Sequence, residues 1–198
     1  MICKSHLASI GIAVFLSALW TPTATEGGAK EQLNFSCEQD YANEPVQRPT
    51  ALSAEALEAL AEDQNVGGCL KEAGKSADQA FAWFVASEIH LGGRDEADFV
   101  VLPNQLLKAE QPGGVPDNAS FLGANTALFW ALRRTQQGYS LVFSGGGHDL
   151  SVLRHRTNGF RDIKTSVLLE AGRIISEAVY RFDGQRYVKV RVDERPGD

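Results

Sequence analysis

The chain has 198 residues, 43% of them hydrophobic, and its 25 acidic and 19 basic residues give a formal net charge of −6. That balance makes nucleic acid a poor default partner, because phosphate neutralisation needs a concentrated basic patch that a net-acidic domain lacks.

Residues 1–29 read as an export signal with its cut between 20 and 29. Lys4 is a sparse basic region, and Leu7 to Trp20 is an apolar run too short for a hydrocarbon core of ~30 Å. Gly27-x-Ala29 suits a cleavage site better than Ala24, which has Pro22 close before it. Cys3 precedes the apolar run, so it cannot be a lipoprotein acceptor. The expectation is an exported protein, periplasmic or secreted, without stable membrane insertion. Residues 30–50 carry little pattern, and 51–198 form one domain with enough chain for a core.

Cys37 and Cys69 then form an even pair in an exported chain, which predicts a disulfide. It would close a loop of about 32 residues and contribute roughly 3–4 kcal/mol by the loop-entropy model. Two buried thiols are the alternative. Asn34-Phe35-Ser36 and Asn118-Ala119-Ser120 match the glycosylation acceptor pattern, which matters only in a eukaryotic secretory pathway.

Ser53 is a helix N-cap, with Leu52 and Leu57 placed for a hydrophobic staple and Leu57, Leu60 and Ala61 as the apolar stripe. Gly67-Gly68 is expected to end that helix, a short helical piece to run from Cys69 to Ala73, and Gly74 to Asp78 to turn. Ala80 to Leu91, rich in aromatic and β-branched residues, predicts a strand, and Asp98 to Leu102 the next, ended by Pro103. Asn104 to Asn118 is a long loop with Gly113-Gly114 and two prolines. Period-2 runs follow at Phe129–Leu132, Tyr139–Ser144, Leu150–Leu153, Ile163–Val167, Ile174–Phe182 and Tyr187–Val192. In the second of these, Tyr139, Leu141 and Phe143 share one face. Gly145 to Gly147 and Asn158-Gly159 read as breaks. Asp183-Gly184 reads as a two-residue type I′ hairpin turn. Leu168 to Ile175 resembles a short helix, weakened by Gly172. The predicted fold class is α+β: a short N-terminal helical region packed on an antiparallel β-meander of about seven strands.

Glu88-Ile89-His90-Leu91-Gly92-Gly93-Arg94-Asp95-Glu96-Ala97-Asp98-Phe99-Val100-Val101 resembles a degenerate FG-GAP (VCBS-like) unit, in which a strand enters an acidic, glycine-containing loop that leads to a second strand. Intact loops of that kind bind calcium through oxygens. Here His90 and Arg94 occupy two acidic positions and only Asp98 matches a ligand, so the resemblance implies a structural hairpin whose calcium site is lost. More loosely, the stretch from Phe81 to Val192 is similar to small exported bacterial proteins of uncharacterised activity. They share Gly123-Ala124-Asn125 before Phe129-Trp130, the Asn158-Gly159-Phe160-Arg161-Asp162 turn and a Phe182 to Tyr187 hairpin. This similarity supplies no catalytic residues.

From Glu26 to Ser120 there are 17 acidic and 6 basic residues (net −11); from Phe121 to Asp198 there are 8 and 12 (net +4). The positive half allows an anion-binding sheet face using Arg154, Arg156, Arg161, Arg181, Arg186 and Arg191, against simple solvation or cover by the acidic half. Trp83, Trp130, Tyr139, Phe160, Tyr180 and Tyr187 are either cross-strand packing or a binding face, since Trp, Tyr and Arg dominate interface hot spots. The binding candidates are therefore Trp83, Trp130, Arg154 and Arg156. His148, Asp149 and His155 form the densest polar group. An odd spacing of seven puts the two histidines on opposite faces of one strand, so no metal site and no cofactor are expected. Ser144 lacks the nucleophile-elbow pattern, and the glycine triple lacks a P-loop lysine. Asp162 is expected to pin the Asn158-Gly159 loop by accepting backbone N–H groups, with Arg161 pairing nearby. The expected function is a non-enzymatic exported binding or accessory module for an envelope protein or polymer. The alternatives are a hydrolase-like enzyme around His148, Asp149 and His155, or a structural envelope domain.

Overall fold

A computed structural model describes residues 32–37, 49–93, 97–104, 121–123 and 125–197. The export segment, most of 30–50, the Arg94–Glu96 loop and the expected loop beyond Asn104 lie outside the described residues. No described helix is long and apolar enough to cross a membrane.

Two five-stranded antiparallel sheets replace the single meander of about seven strands. Strands β1 (Leu33–Ser36), β7 (Asp149–Thr157), β8 (Phe160–Leu169), β9 (Ile174–Phe182) and β10 (Tyr187–Pro196) follow one another across sheet A. Strands β2 (Pro49–Thr50), β3 (Phe84–Ile89), β4 (Asp98–Pro103), β5 (Ala127–Thr135) and β6 (Gly138–Gly147) make sheet B in chain order. The chain crosses between the sheets at His148. The glycine triple does not break the chain: all three residues lie in β6, opposite Ala127, Leu128 and Phe129. A Cβ on Gly145 would stand 2.7 Å from the Phe143 ring, and one on Gly147 would stand 2.9 Å from the Ser166 carbonyl oxygen. At Gly147 the neighbours are backbone oxygens of Ser166 and Asp149, so only glycine permits that approach; at Gly145 the neighbour is the tip of the Phe143 ring.

Strand β4 is buried on both faces. Val100 and Leu102 join Phe129, Phe143, Leu150, Val152, Ile163 and Phe182 in a core between the sheets. Phe99 and Val101 join Trp83, Trp130, Leu132 and residues of two helices in a second cluster. These helices are α1 (Ala54–Leu60) and α2 (Gln64–Ala73). A register shift between Ala131 and Leu132 sends Phe143 into the inter-sheet core while Tyr139 and Leu141 pack with the helices, so the three do not share one face.

Ser53 Oγ accepts the Ala56 N–H, as an N-cap does. Gly67-Gly68 does not end the helix. α1 stops at Leu60, Asp63 caps α2 by accepting the Asn65 and Val66 N–H groups, and Gly74 ends it at φ 62°. Gly67 lets α2 pass the Ala61 carbonyl, where a Cβ would sit at 2.7 Å. A 3-10 turn (Ala77–Trp83) takes the first third of the predicted Ala80–Leu91 strand. Another, Glu170–Gly172, replaces the candidate helix after Leu168 and holds three successive positive φ angles.

The hairpin turns reverse the expected assignment. Asn158-Gly159 is the two-residue turn, with φ 53° and 81° between the paired Thr157 and Phe160. Asp183-Gly184 belongs to a four-residue loop between Phe182 and Tyr187. There Asp183 Oδ1 accepts the Gln185 and Arg186 N–H groups, an Asx turn that outcompetes the tighter geometry.

Cys37 and Cys69 are buried thiols that form no disulfide, so the expected bridge is absent. Cys37 lies in the inter-sheet core and Cys69 in the helix-side cluster, with sheet B between them. Burial, with Glu72 nearby, pushes the Cys69 thiol up.

Candidate functional site

Side chains alternate along strands, so while Leu150, Val152 and Ile163 enter the core their neighbours face outward. The outer face of sheet A has no described element over it. Asp149, Ser166 and Glu177 stand in one cross-strand row over β7, β8 and β9. Asn34, Ser151 and Lys164 stand in the next, over β1, β7 and β8. Together they floor a depression of about 350 Å³, with Leu168, Ile175 and Arg195 at one end.

Its polar groups are fixed but not saturated. Ser166 donates to Asp149 Oδ2 at 3.1 Å, and Ser151 donates to Asn34 Oδ1 at 2.9 Å. Lys164 Nζ lies 2.7 Å from Glu177 Oε1, and Arg195 lies 4.0 Å from the same oxygen. Two cations thus share one carboxylate on the β9–β10 side. Among the described residues no cation pairs with Asp149. The depression is neutral in sum, with a negative pole over β7 and a positive pole over β9.

The predicted site residues are scattered. Trp83 and Trp130 are both 0% exposed in the helix-side cluster, Trp130 edge-on to Phe84 and Phe121, so neither can belong to a binding face. They pack there because their rings are the largest apolar groups on two adjoining buried segments. Their indole N–H groups have no acceptor among the described residues. Arg154 is exposed. Arg156 is also exposed, but it donates to the Leu91 and Gly159 carbonyls. Arg161 is buried and donates to the Leu153 and Val152 carbonyls, each at 2.8 Å. Burial first, then Arg156, holds its guanidinium below the usual range. Arg181 meets Asp162, and Arg191 meets Asp193. The arginines therefore do not form one free anion-binding face.

His148 and His155 do not converge. His148 donates from Nδ1 to the Asn125 carbonyl at 3.1 Å, with Cys37 Sγ 3.4 Å away, at the sheet corner. His155 stands near the far end of β7, next to the Asn158-Gly159 turn. There its Nδ1 donates to Asp162 Oδ2 at 2.8 Å. Asp162 is buried but accepts side-chain donors, His155 and Arg181, and not the loop N–H groups expected of it. Ser144 donates to Asp63 Oδ2 and ties β6 to the start of α2. Asp98, the one residue matching a calcium-loop ligand, accepts the Leu91 and Arg134 N–H groups, and burial pushes its carboxyl up.

Sequence reasoning named Asp149 but missed Lys164, Ser166 and Glu177. On β8 the signal is the alternation of Lys164 and Ser166 with Ile163, Thr165 and Val167; on β9 Glu177 shares its face with the apolar Ile175 and Val179 and carries no such signal. Comparisons with protein-family models, with curated proteins and with solved structures return no match.

Proposed function

We propose that this protein is an exported, non-enzymatic binding or accessory module, and that it engages a polypeptide of the cell envelope, protein or peptide, through the outer face of sheet A. The apolar Leu7–Trp20 run behind Lys4 supports export. The observation that carries the binding reading is the open depression over β7, β8 and β9, in which a carboxylate with no cation among the described residues and a pair of cations face outward. Its volume lies within the range of small-ligand sites. A polypeptide fits better than an envelope glycan, because among the described residues the one aromatic lining the floor, Phe35, is buried and offers sugars no ring to stack on, while Leu168 and Ile175 offer an apolar contact.

The test is affinity capture from native envelope extract with the full chain and with Lys164→Glu and Arg154→Ala variants. Loss of the captured protein with Lys164→Glu and its retention with Arg154→Ala support the reading. Retention with Lys164→Glu contradicts it.

A further inference from the structure

The two poles of the depression specify more than a face. Asp149, Ser166 and Glu177 are register partners straight across β7, β8 and β9. Adjacent strands lie about 4.8 Å apart, so Asp149 and Glu177 are separated by about 10 Å. At one end the Asp149 carboxylate accepts from Ser166 through Oδ2 and has no cation among the described residues. At the other, Lys164 and Arg195 converge on a single oxygen of Glu177. An ammonium carries three donors and a guanidinium five, so one carboxylate oxygen leaves most of them available. Beside this positive pole, Leu168 and Ile175 are directly paired across β8 and β9, and Ile175 is paired with Arg195 on β10.

Building on the binding-face reading, we propose that the depression holds a short peptide with free ends, about three residues long. Its ammonium sits on Asp149, its terminal carboxylate on Lys164 and Arg195, and its last, apolar side chain on Leu168 and Ile175. Three extended residues span about 10 Å, which matches the separation of the poles. A neutral depression with its charges held apart selects a zwitterion over an anion or a cation, since either single charge leaves one pole unmatched. The same pair of charges also occurs as Lys and Glu side chains within a protein segment, so the assay separates the two sources.

Calorimetric titration of the full chain uses Ala-Ala-Leu, its N-acetylated form, its C-terminal amide, and a doubly capped Lys-Ala-Glu. Each terminal cap on Ala-Ala-Leu is expected to weaken binding about ten-fold, the loss of one charge-assisted hydrogen bond. Asp149→Asn is expected to weaken the free peptide by a similar factor and to leave the N-acetylated peptide unchanged. Equal binding of free and capped peptides, equal effects of Asp149→Asn on both, or no binding at millimolar peptide overturns the proposal. Tighter binding of capped Lys-Ala-Glu than of Ala-Ala-Leu overturns the assignment to free peptides. If no peptide binds but Lys164→Glu still abolishes envelope capture, this inference falls and the binding face stands; if Lys164→Glu leaves capture intact, the binding face itself falls.

Discussion

Arg161→Met is the substitution whose effect follows most directly from the fold. Between Val152 and Arg156 the β7–β8 register shifts, so the ladder is interrupted at Leu153. The carbonyls of Val152 and Leu153 take their hydrogen bonds from the Arg161 guanidinium at 2.8 Å each. Met keeps the apolar stem and leaves both acceptors without that donor. Each unsatisfied buried acceptor costs about 1–3 kcal/mol. Against this stands relief: the cation is buried, and Arg156 and Arg154 repel it. The net loss is about 3 kcal/mol, which lowers the melting temperature by roughly 6–12 °C for a domain of this size. Arg161→Lys, with a point donor in place of a fork, falls between the two. Thermal unfolding followed by circular dichroism measures this. A Met variant that melts within 2 °C of the wild type refutes the account of the shifted register.

Asp98 gives a pH test. Burial raises its folded-state pKa above the ordinary 3.8, so the native state binds the proton more tightly. Its contribution is fully present below that value and is lost as pH rises through the folded pKa. The stability difference between wild type and Asp98→Asn should therefore fall as pH rises from 3.5 in urea titrations; a constant difference contradicts the assignment. Asp162→Ala should cost about 1 kcal/mol, because the lost bonds from His155 and Arg181 are offset by removing a buried oxygen, Oδ1, that has no partner among the described residues. An unchanged melting temperature would sink that reading. Cys37 and Cys69 should both resist iodoacetamide in the native protein and react on unfolding, and a reductant should leave the melting temperature unchanged. A drop on reduction would restore the disulfide.

Much of the strand content was legible because period-2 runs and their punctuation are local. Tyr139 to Ser144, Ile174 to Phe182 and Tyr187 to Val192 all fall inside observed strands. Partition into two sheets was not, because it depends on the crossing at His148, where Gly147 passes close to the Ser166 carbonyl. Glycines misled where they serve close approach: Gly67 at the Ala61 carbonyl and Gly145 at the Phe143 ring sit inside elements that they were expected to end. The site was hidden by register. Counting back from the Asn158-Gly159 turn puts Asp149 opposite Leu168, but the shift between Val152 and Arg156 puts it opposite Ser166, in a row with Glu177. Aromatic residues were ambiguous from sequence alone. Trp83 and Trp130 proved to be core, whereas the candidate face is built from Ser, Asn, Lys and acidic side chains.

The most direct test of the central claim is hydrogen–deuterium exchange of the full chain with and without the protein captured from envelope extract. The account predicts protection concentrated in Asp149–Val152, Lys164–Leu168 and Ile175–Glu177, with Arg154 and the Asn158-Gly159 turn unchanged. Protection centred on that turn or on the helices α1 and α2, with the outer face of sheet A unaffected, would contradict it.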